Sequence, residues 1–580
     1  MGIESRQRHS IRIESRQCQV ILLIDISGVR DTLPCRNCPY FSYRDRDGNT
    51  VIVERKTEEM EGGVKLDKWG YEVNTSSDAC ISAINSYYHQ VLSYGRGRRV
   101  ILEATLHDKD CVLANILAAH FLCSSANPSR ASFHIQAANA RLEEATPYEK
   151  AVFDALNSLI CENRDDDVAL QFHSKLLNDY PRDLVALKRA QVLCFYMGRP
   201  DLSLDLVQQV LPRNQEEDYI YGMLAFPLLE LGRMADAEEA ARKGYEINKQ
   251  DYWAQHAMCH VLQYQCRFKD AVDFMEECSS SWSSCLSFML THNWWHVALC
   301  YLEGHAPVRK VLEVYDQHIW KELEKADTVP PEVYLNALGL LLRVYLRGEL
   351  DIFEDRLKTL ASCITDQANW YLEWHLDVLI LWALAKTGEP SKAEDLLEGL
   401  KSRIHKMSKK KQQRMQKVIL LAEALFEYGR GNDKQALDLL DSDFNANDCK
   451  MLGASDEQLD VFNEVWYSML LNTGQAAKAI GAMEKQVKKR EGTPFMWRLL
   501  ERGYAMTGSQ EATVAGEKAR ALEAAHFVQV NRAKKDELAT ILVLLATSLT
   551  NFYTIQNMQS FVFILAMMRA KLTTEDLDKL

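Results

Sequence analysis

Apolar residues along most of this chain recur with the spacing of amphipathic helices, and the helices come in short pairs. The stretch DYIYGMLAFPLLELGRMADAEEAARKGYEINKQ, residues 218–250, shows one such pair. An apolar segment leads up to Gly232, and a second segment with small residues at Ala237 and Gly244 follows it. Glycine readily adopts the left-handed conformation that ends many helices, so the pattern predicts a helix, a tight turn and a second helix.

A period of 34 residues links four such pairs. Small residues occupy equivalent places in the second helices at this interval: Ala169, Ser203, Ala237 and Ala271. Gly198 and Gly232 keep the same interval in the turns, and Pro181 stands where the second helix of the first pair must end. This is the period of the tetratricopeptide repeat, whose two antiparallel helices cross closely and need a small side chain at the contact.

Helix pairs continue with looser spacing through the second half of the chain. Their predicted turns lie at Gly304, Gly348, Gly388, Gly431 and Gly474. The wider intervals imply longer helices or inserted loops. Because each repeat completes its core against its neighbours, we predict one elongated all-α fold, a tetratricopeptide-repeat solenoid or superhelix.

The composition of the 580-residue chain is that of a globular protein, with 47% hydrophobic and 26% charged residues. A net charge of −13 argues against general nucleic-acid binding, which needs a basic surface. The 15 cysteines are scattered and several lie within helical patterns, which suits a reducing compartment. The first 17 residues carry arginine and glutamate before any apolar run, so we expect no signal peptide and a cytoplasmic location.

Residues 60 to about 527 resemble the tetratricopeptide repeat protein 38 family. The resemblance is carried by KWGYEVNTSSDAC (68–80), WAQHAMCH (253–260), THNWWHVALCYLEG (291–304) and LGASDEQLDVFNEV (452–465). It implies a helical-repeat interaction scaffold without an established activity. The family pattern includes the paired histidines His256, His260, His292 and His296. The turn in EGHAPVRKVLEVYDQHI, residues 303–319, departs from the usual repeat turn, which leaves its geometry open.

Both ends of the chain lie outside this resemblance. Residues 1–59 contain the strand-like segments QVILLIDI and NTVIVERK and are expected to form a peripheral or poorly ordered extension. Residues 528–580 are expected to form an apolar helical extension, and residues 538–568 within it carry no charge. That length permits a membrane span, but interspersed Thr, Asn, Gln and Ser favour a capping helix pair over a membrane anchor.

Two pairs of histidines, each four residues apart, are the most distinctive candidates for a site. His256 and His260 take positions five and nine of their repeat, which line the concave groove of a tetratricopeptide array. His292 and His296 lie on the first helix of the next repeat. First helices of successive repeats pack side by side, so the four rings are expected to converge on one stretch of groove wall.

Three interpretations of these histidines stay open on sequence alone. The favoured one is that they bridge neighbouring helices by hydrogen bonds, beside Trp253, Trp294 and Trp295. The second is a zinc site, although a four-histidine set without a carboxylate is uncommon. Asp251 and Glu303 are the nearest candidate carboxylates in sequence. The third is a ligand pocket formed by the tryptophans and imidazoles.

Other motifs point to chemistry less strongly. Cys35 and Cys38 have the spacing of half a zinc site, but no second such pair accompanies them. Residues 401–417 are densely basic and are expected to form a solvated helix face, with contact to an anionic partner as the alternative. A chaperone-binding carboxylate clamp needs Lys and Asn at positions five and nine of the repeats. Those positions read Asp154/Ser158, Lys188/Val192, Gly222/Phe226 and His256/His260, so no clamp is expected.

The sequence contains no phosphate-binding loop, nucleophile elbow or metalloprotease helix. We therefore predict a protein-binding scaffold that takes a protein or peptide in its groove, with affinity from aromatic anchors such as Trp253, Trp294 and Trp295. Nucleic acid and membrane are not expected as partners. We predict no catalytic residue and no cofactor, with zinc as the exception to test. The alternative is a metal-binding protein or enzyme that uses His256, His260, His292 and His296.

Overall fold

The computed structural model of the chain is built almost entirely from antiparallel helix pairs. The structure describes residues 63–124, 128–161, 164–440 and 442–527, and before them the backbone of four strands. Three antiparallel strand pairs are present in these parts, β1–β2, β3–β4 and β5–β6. Their bounds are β1 His9–Ser15, β2 Cys18–Ile24, β3 Tyr40–Arg44, β4 Thr50–Glu54, β5 Val64–Leu66 and β6 Glu72–Asn74. β2 and β4 confirm the two strand-like segments.

The first twelve helices hold the regular repeats. They are α1 Asp78–Leu92, α2 Ile101–His107, α3 Val112–Ser124, α4 Pro128–Ala140, α5 Pro147–Ile160, α6 Asp166–Asp179, α7 Leu184–Tyr196, α8 Pro200–Val210, α9 Ile220–Glu230, α10 Met234–Ile247, α11 Tyr252–Tyr264 and α12 Phe268–Cys278. The pairs α5/α6, α7/α8, α9/α10 and α11/α12 are the four 34-residue units, and α6 ends two residues before Pro181, as predicted.

The later helices form the looser repeats. They are α13 Ser287–Glu303, α14 Val308–Val314, α15 Pro330–Leu346, α16 Leu350–Ile364, α17 Trp374–Lys386, α18 Pro390–His405, α19 Lys409–Gly429, α20 Asp433–Leu439, α21 Asp456–Asn472, α22 Ala476–Val487, α23 Pro494–Met506 and α24 Glu511–Ala525. Short 3-10 or π turns connect some of them, among them Ser279–Ser284, Tyr315–Ile319 and Ala446–Leu452. The all-α repeat solenoid predicted from the register is confirmed.

The small residues that defined the register lie at helix crossings. Ala169, Ala237 and Ala271 are fully buried, and Ser203 is buried as well. In the turn after α9, Gly232 has φ of +75°, and no neighbouring atom lies within 4 Å of the place where a Cβ would stand. Glycine is therefore required there by the left-handed backbone and not by lack of space.

Among the non-glycine residues with a left-handed backbone, two lie in turns of the predicted repeats. Gly304, the predicted turn glycine after α13, has φ of −80°, and His305 takes the left-handed position with φ of +58°. Cys266 likewise has φ of +58° at the place where the 34-residue register would put a glycine. The predicted turn at Gly304 is present, but its left-handed residue is His305, because Gly304 directly follows the end of α13 at Glu303.

The later helices return to the inner face of the earlier ones. Arg347 on α15 pairs with Glu464 on α21 at 2.9 Å, and Arg490 after α22 pairs with Glu303 on α13 at 2.5 Å. Lys450, just before α21, pairs with Glu230 on α9 at 3.3 Å. These buried cross-links fold the superhelix over its own concave side, so only part of the groove stays open.

The hydrophobic core follows the same path along the solenoid. One large cluster of buried residues extends from Trp69 to Met223 on α9, and a second extends from Leu204 on α8 to Ala515 on α24. Leu224 on α9 packs against both. The core is therefore continuous through the repeats, as expected when each repeat is completed by its neighbours.

Several predictions fall on residues outside the described part of the chain. They concern the extension at residues 1–59 beyond its strands, the Cys35/Cys38 pair and the apolar segment 538–568. The division into 1–59, 60–527 and 528–580 stays a prediction. Within the part of the chain that the structure describes, no helix is both long enough and apolar enough to cross a membrane.

Candidate functional site

The position of α11, which carries the first histidine pair, is set by close packing of α9 and α10 against its start. Asp251 caps α11 by accepting from the backbone N–H groups of Trp253 and Ala254, at 3.1 and 3.0 Å. A Cβ at Gly222 on α9 would lie 2.8 Å from Asp251 Oδ2, and one at Gly244 on α10 would lie 3.0 Å from the Cβ of Ala254. Two glycines therefore let α9 and α10 approach the start of α11 and set its position.

The four predicted histidines do converge. His256 and His260 on α11 face His292 and His296 on α13, and one ligand-type nitrogen from each ring lies within 4.8 Å of all the others. Nε2 of His260 lies 2.9 Å from Nε2 of His256. The rings of His260 and His296 are the closest pair across the two helices, with centroids 4.3 Å apart. Helical spacing of four residues thus places two imidazoles from each helix at one point.

The cluster is buried, although its residues occupy groove positions of their repeats. His256 and His260 are each 1% exposed, and His296 is fully buried. The cover comes from the first turn of α21, where Glu457 places Oε2 2.7 Å from Nδ1 of His260. Helix α21 belongs to a much later repeat, and its return to the inner face is what removes these rings from solvent.

Each imidazole also contacts an oxygen through its Nδ1 atom. The pairs are His256 with Oδ1 of Asn293 at 3.3 Å, His260 with Oε2 of Glu457 at 2.7 Å, His292 with Oδ1 of Asn336 at 2.8 Å and His296 with Oε1 of Gln263 at 3.0 Å. These partners lie on α11, α13, α15 and α21. The predicted bridging of neighbouring helices by the histidines is therefore present.

Electrostatics separate one histidine from the other three. Burial lowers the pKa of His292 to about 4, and burial together with the neighbouring imidazoles lowers the pKa of His256 and His296 well below 6.5. Burial acts in the same direction on His260, but the carboxylate of Glu457 outweighs it and raises the pKa of His260. The cluster thus favours three neutral imidazoles and one that can carry charge.

The two carboxylates nearest in sequence are not at the cluster. Asp251 caps α11, as described above, and Glu303 accepts from Nε2 of Gln263 at 3.4 Å while it pairs with Arg490. Glu457, in the segment LGASDEQLDVFNEV, is the carboxylate in contact with an imidazole. The segment was already prominent as part of the family resemblance, but its distance along the chain gave no signal that it met the histidines.

The three predicted aromatic anchors separate in the structure. Trp253 stacks on His256 with centroids 4.7 Å apart and lines the open cavity. Trp295 stacks on His292 at 5.2 Å and is buried. Trp294 points to the other side of α13, where it stacks on His318 at 3.6 Å. Only Trp253 can therefore meet a ligand in the cavity, because consecutive residues on a helix face different directions.

The unfilled part of the groove is a cavity of about 650 Å³ beside the cluster. His256 and His292 form part of its wall. Its apolar wall is made by residues from α7, α9, α11, α13 and the loop before α17, namely Val192, Phe195, Tyr196, Phe226, Trp253, Phe288, Tyr371 and Leu372. Its charged groups are Arg98, Lys188, Glu230, Glu332, Glu373 and Lys450. A cavity of this size suits a short peptide segment or a small molecule.

Lys188, at position five of the second repeat, is buried and bonded to the backbone of the protein itself. Nζ of Lys188 donates to the carbonyl oxygens of Val91 and Leu92 at 2.7 and 3.2 Å, and it lies 3.1 Å from the centroid of the Tyr94 ring. Burial holds the pKa of Lys188 well below its usual range. Val192 at position nine is apolar and faces the cavity. This pair therefore has the wrong chemistry for holding a free carboxylate.

The basic segment 401–417 contacts acidic residues of the protein itself. Lys411 pairs with Asp166 at 3.1 Å, and Lys410 pairs with Asp167, both at the start of α6. Lys401 pairs with Glu423 at 2.9 Å. Part of this face is thus neutralised by intramolecular ion pairs between an early and a late repeat, which the prediction of a solvated face did not include.

Comparison with known proteins gives one family match. A family model described as cohesin loading factor matches residues 345–579, which is less than half of the chain. The match includes α21 and therefore Glu457. It differs from the resemblance to the tetratricopeptide repeat protein 38 family, of which only the helical-repeat fold is confirmed.

Two solved structures match this chain at low identity and with low TM-scores. The human IFIT1 dimer with m7Gppp-AAAA is 14% identical over 78% of this chain and 92% of that chain, with a TM-score of 0.33. The structure of Naa15/Naa10 bound to HypK-THB is 14% identical over 80% of this chain and 71% of that chain, with a TM-score of 0.19. No function of this chain follows from likenesses of this size.

Proposed function

We propose that this protein is an interaction scaffold that binds a segment of another protein in the cavity of its concave face. The observation that carries the proposal is the exposure of apolar side chains there. Val192, Tyr196, Val329 and Leu372 line the cavity and are 37–51% exposed. Apolar side chains gathered in a concave surface that a chain leaves open are typical of a binding site.

Two carboxyl groups in the wall indicate the chemistry of that segment. Burial raises the pKa of Glu332 to about 7, and Arg98 offsets only part of the effect. Burial also raises the pKa of Glu373, which accepts from the hydroxyl of Tyr196 at 3.1 Å. A cation entering the cavity would stabilise both ionised carboxylates. The segment we propose therefore combines an apolar or aromatic anchor with a lysine or arginine side chain.

The family match supports a role in partner binding and gives a starting point for the search. Residues 345–579 match a model described as cohesin loading factor. Cohesin subunits, and proteins that act with them, are therefore the first source of candidate segments. The aromatic wall around Trp253 supplies a rigid surface for such an anchor, since its ring already packs against Phe226 and Tyr94.

The test is selection of peptides on the purified full-length protein, followed by calorimetric measurement of their affinity. Leu372→Asp places a charge in the apolar wall and is expected to weaken binding at least about tenfold, because the anchor would lose its contact. Val514→Asp is the matched control, since Val514 on α24 is 64% exposed and lies outside the cavity wall. Its affinity should equal that of the wild type.

Two results would contradict the proposal. One is a set of selected peptides that bind Leu372→Asp as tightly as the wild type. The other is the failure of lysine- or arginine-containing apolar peptides, including those from cohesin subunits, to bind at all.

A further inference from the structure

Two of the four Nδ1 contacts indicate where the imidazole protons lie, because their amide partners are oriented by other hydrogen bonds. Asn336 donates from Nδ2 to Thr291 Oγ1 at 2.9 Å and to the carbonyl oxygen of Glu332 at 3.1 Å. Its Oδ1 must therefore accept, and His292 must donate from Nδ1. Gln263 donates from Nε2 to Glu303, so its Oε1 accepts from Nδ1 of His296 in the same way.

At His260 the contact is an ion-pair distance of 2.7 Å to Oε2 of Glu457, and because an ionised carboxylate can only accept, it favours a proton on Nδ1. A neutral imidazole that carries its proton on Nδ1 presents a lone pair on Nε2. His292 and His296 are thus held with an Nε2 lone pair available. His260 presents one when it is neutral, and its Nε2 lies 2.9 Å from that of His256.

Within the described residues, hydrogen bonds do not satisfy all of the Nε2 atoms of the cluster. Nε2 of His296 is buried and has no hydrogen-bond partner among the residues that the structure describes. If the Nε2 atoms of His256 and His260 both present lone pairs, they repel each other at 2.9 Å unless a proton or a metal ion lies between them. Metal-binding histidines show this arrangement, in which Nδ1 donates to a carboxylate or amide oxygen and Nε2 faces the metal.

We propose that His256, His260, His292 and His296 bind one divalent transition-metal ion of the zinc type through their Nε2 atoms. This site goes beyond partner binding in the cavity. Neutral imidazole and tetrahedral coordination suit zinc, and four protein ligands leave no open position for catalysis. The ion would be structural, joining α11 to α13. Glu457 offsets part of its charge and positions His260, and the cavity beside His256 and His292 gives the ion its route of access.

The competing arrangement is a shared proton. A charged His260 would donate from Nε2 to Nε2 of His256 and from Nδ1 to Glu457, with no ion bound. It leaves Nε2 of His296 without a partner among the described residues. The two arrangements differ in a measurable way, because only the metal site takes up zinc or cobalt.

The experiment uses the full-length protein with Cys35→Ser and Cys38→Ser, so that this cysteine pair cannot contribute zinc. After treatment with a chelator, the protein is titrated with Zn²⁺ by calorimetry and with Co²⁺ by visible absorption. We expect one ion per chain, an absorption spectrum of tetrahedral Co²⁺ with nitrogen ligands, and a melting temperature that the chelator lowers and added zinc restores.

Variants show whether zinc is bound by the four-histidine cluster or by other histidines of the chain. His296→Ala is expected to abolish uptake, and Glu457→Gln to weaken zinc affinity by about 10- to 100-fold through loss of the positioning contact. His375→Ala is the matched control, because His375 on α17 is equally buried but lies outside the cluster, and its zinc uptake should be unchanged.

The proposal would be overturned, and the shared proton supported, if the chelator-treated protein with all four histidines is folded but takes up neither Zn²⁺ nor Co²⁺. Stoichiometric uptake that persists in His296→Ala would overturn it as well. If His296→Ala does not fold, Glu457→Gln and the Co²⁺ spectrum of the unsubstituted cluster still decide between the two arrangements.

Discussion

Position nine of the second repeat and position nine of the fourth lie at the same place on their helices but have different surroundings. Val192 at position nine of the second repeat is 47% exposed and faces the cavity. His260 at position nine of the fourth repeat is 1% exposed and contacts Glu457. The repeat register fixes which face of a helix a residue occupies, whereas the return of α21 decides whether that face is open or covered.

The largest expected loss of stability comes from removing the histidines that α21 covers. His256→Ala together with His260→Ala removes two buried rings and leaves Asn293 and Glu457 without their partners. We expect the free energy of unfolding to fall by about 2–5 kcal/mol, measured by chemical denaturation. Val192→Ala, at the open position, should change it by less than about 1 kcal/mol. Equal losses of unfolding free energy in the histidine variant and in Val192→Ala would contradict the claim that one position is covered and the other open.

The second effect tests the register itself at a helix crossing. Ala237→Leu adds atoms at a fully buried contact of α10 and should destabilise the protein by about 1–3 kcal/mol. Ala235→Leu lies on the exposed face of the same helix and should leave the melting midpoint nearly unchanged. An unchanged midpoint for Ala237→Leu would mean that the crossing is not where the repeat places it.

The third effect concerns pH and a carboxyl group in the looser repeats. Burial raises the pKa of Asp377 on α17 to about 7, above the value of 3.8 expected when the chain is unfolded. The folded state then holds a proton that the unfolded state releases, so stability falls as pH rises from about 4 to 7. At pH 8, Asp377→Asn should be more stable than the wild type by about 1–3 kcal/mol.

At pH 4 this advantage should disappear, because wild-type Asp377 is protonated in the folded state and accepts from the N–H of Tyr371 as the asparagine would. Unfolding measured at both pH values checks the sign. Asp395→Asn, an exposed carboxylate on α18, is the control and should show no such difference. A gain for Asp377→Asn that is larger at pH 4 than at pH 8 would contradict the assignment.

The smallest effect compares two left-handed turns. Gly232→Ala should lower the free energy of unfolding by about 1–2 kcal/mol, because alanine is strained in the left-handed conformation. No steric clash adds to this loss, since the new Cβ would meet no neighbour. Cys266 already has a side chain in the same conformation, so Cys266→Gly should relieve strain and change stability by less than about 1 kcal/mol. Thermal unfolding of both variants measures the difference. A stabilising Gly232→Ala would show that the turn is not left-handed in solution.

The sequence predicted features that repeat along the chain. The register located the buried Ala169, Ala237 and Ala271, and helical spacing brought the two histidine pairs together. The burial of these alanines and the convergence of the histidines both follow from the local helix geometry within each repeat. Trp294 shows the limit of that geometry, because one step along α13 turned its ring to the opposite side, against His318.

Features that depend on distant parts of the chain could not be predicted in this way. Glu457 reaches His260 only because α21 folds back across the inner face, and no period relates the two positions. Tyr196 on α7 meets Glu373 before α17 for the same reason. The groove position of the histidines therefore gave no indication of what covers them, while helical spacing correctly predicted that they converge.

The measurement that tests this account most directly is a double-mutant cycle between His260 and Glu457. The free energy of unfolding is measured for the wild type, His260→Gln, Glu457→Gln and the double variant, with Val192→Ala in place of His260→Gln as the control cycle. Because both groups are buried and in contact, we expect a coupling energy of about 1–3 kcal/mol, and none between Val192 and Glu457. Additive effects of His260→Gln and Glu457→Gln would contradict the claim that a late helix closes over the fourth repeat.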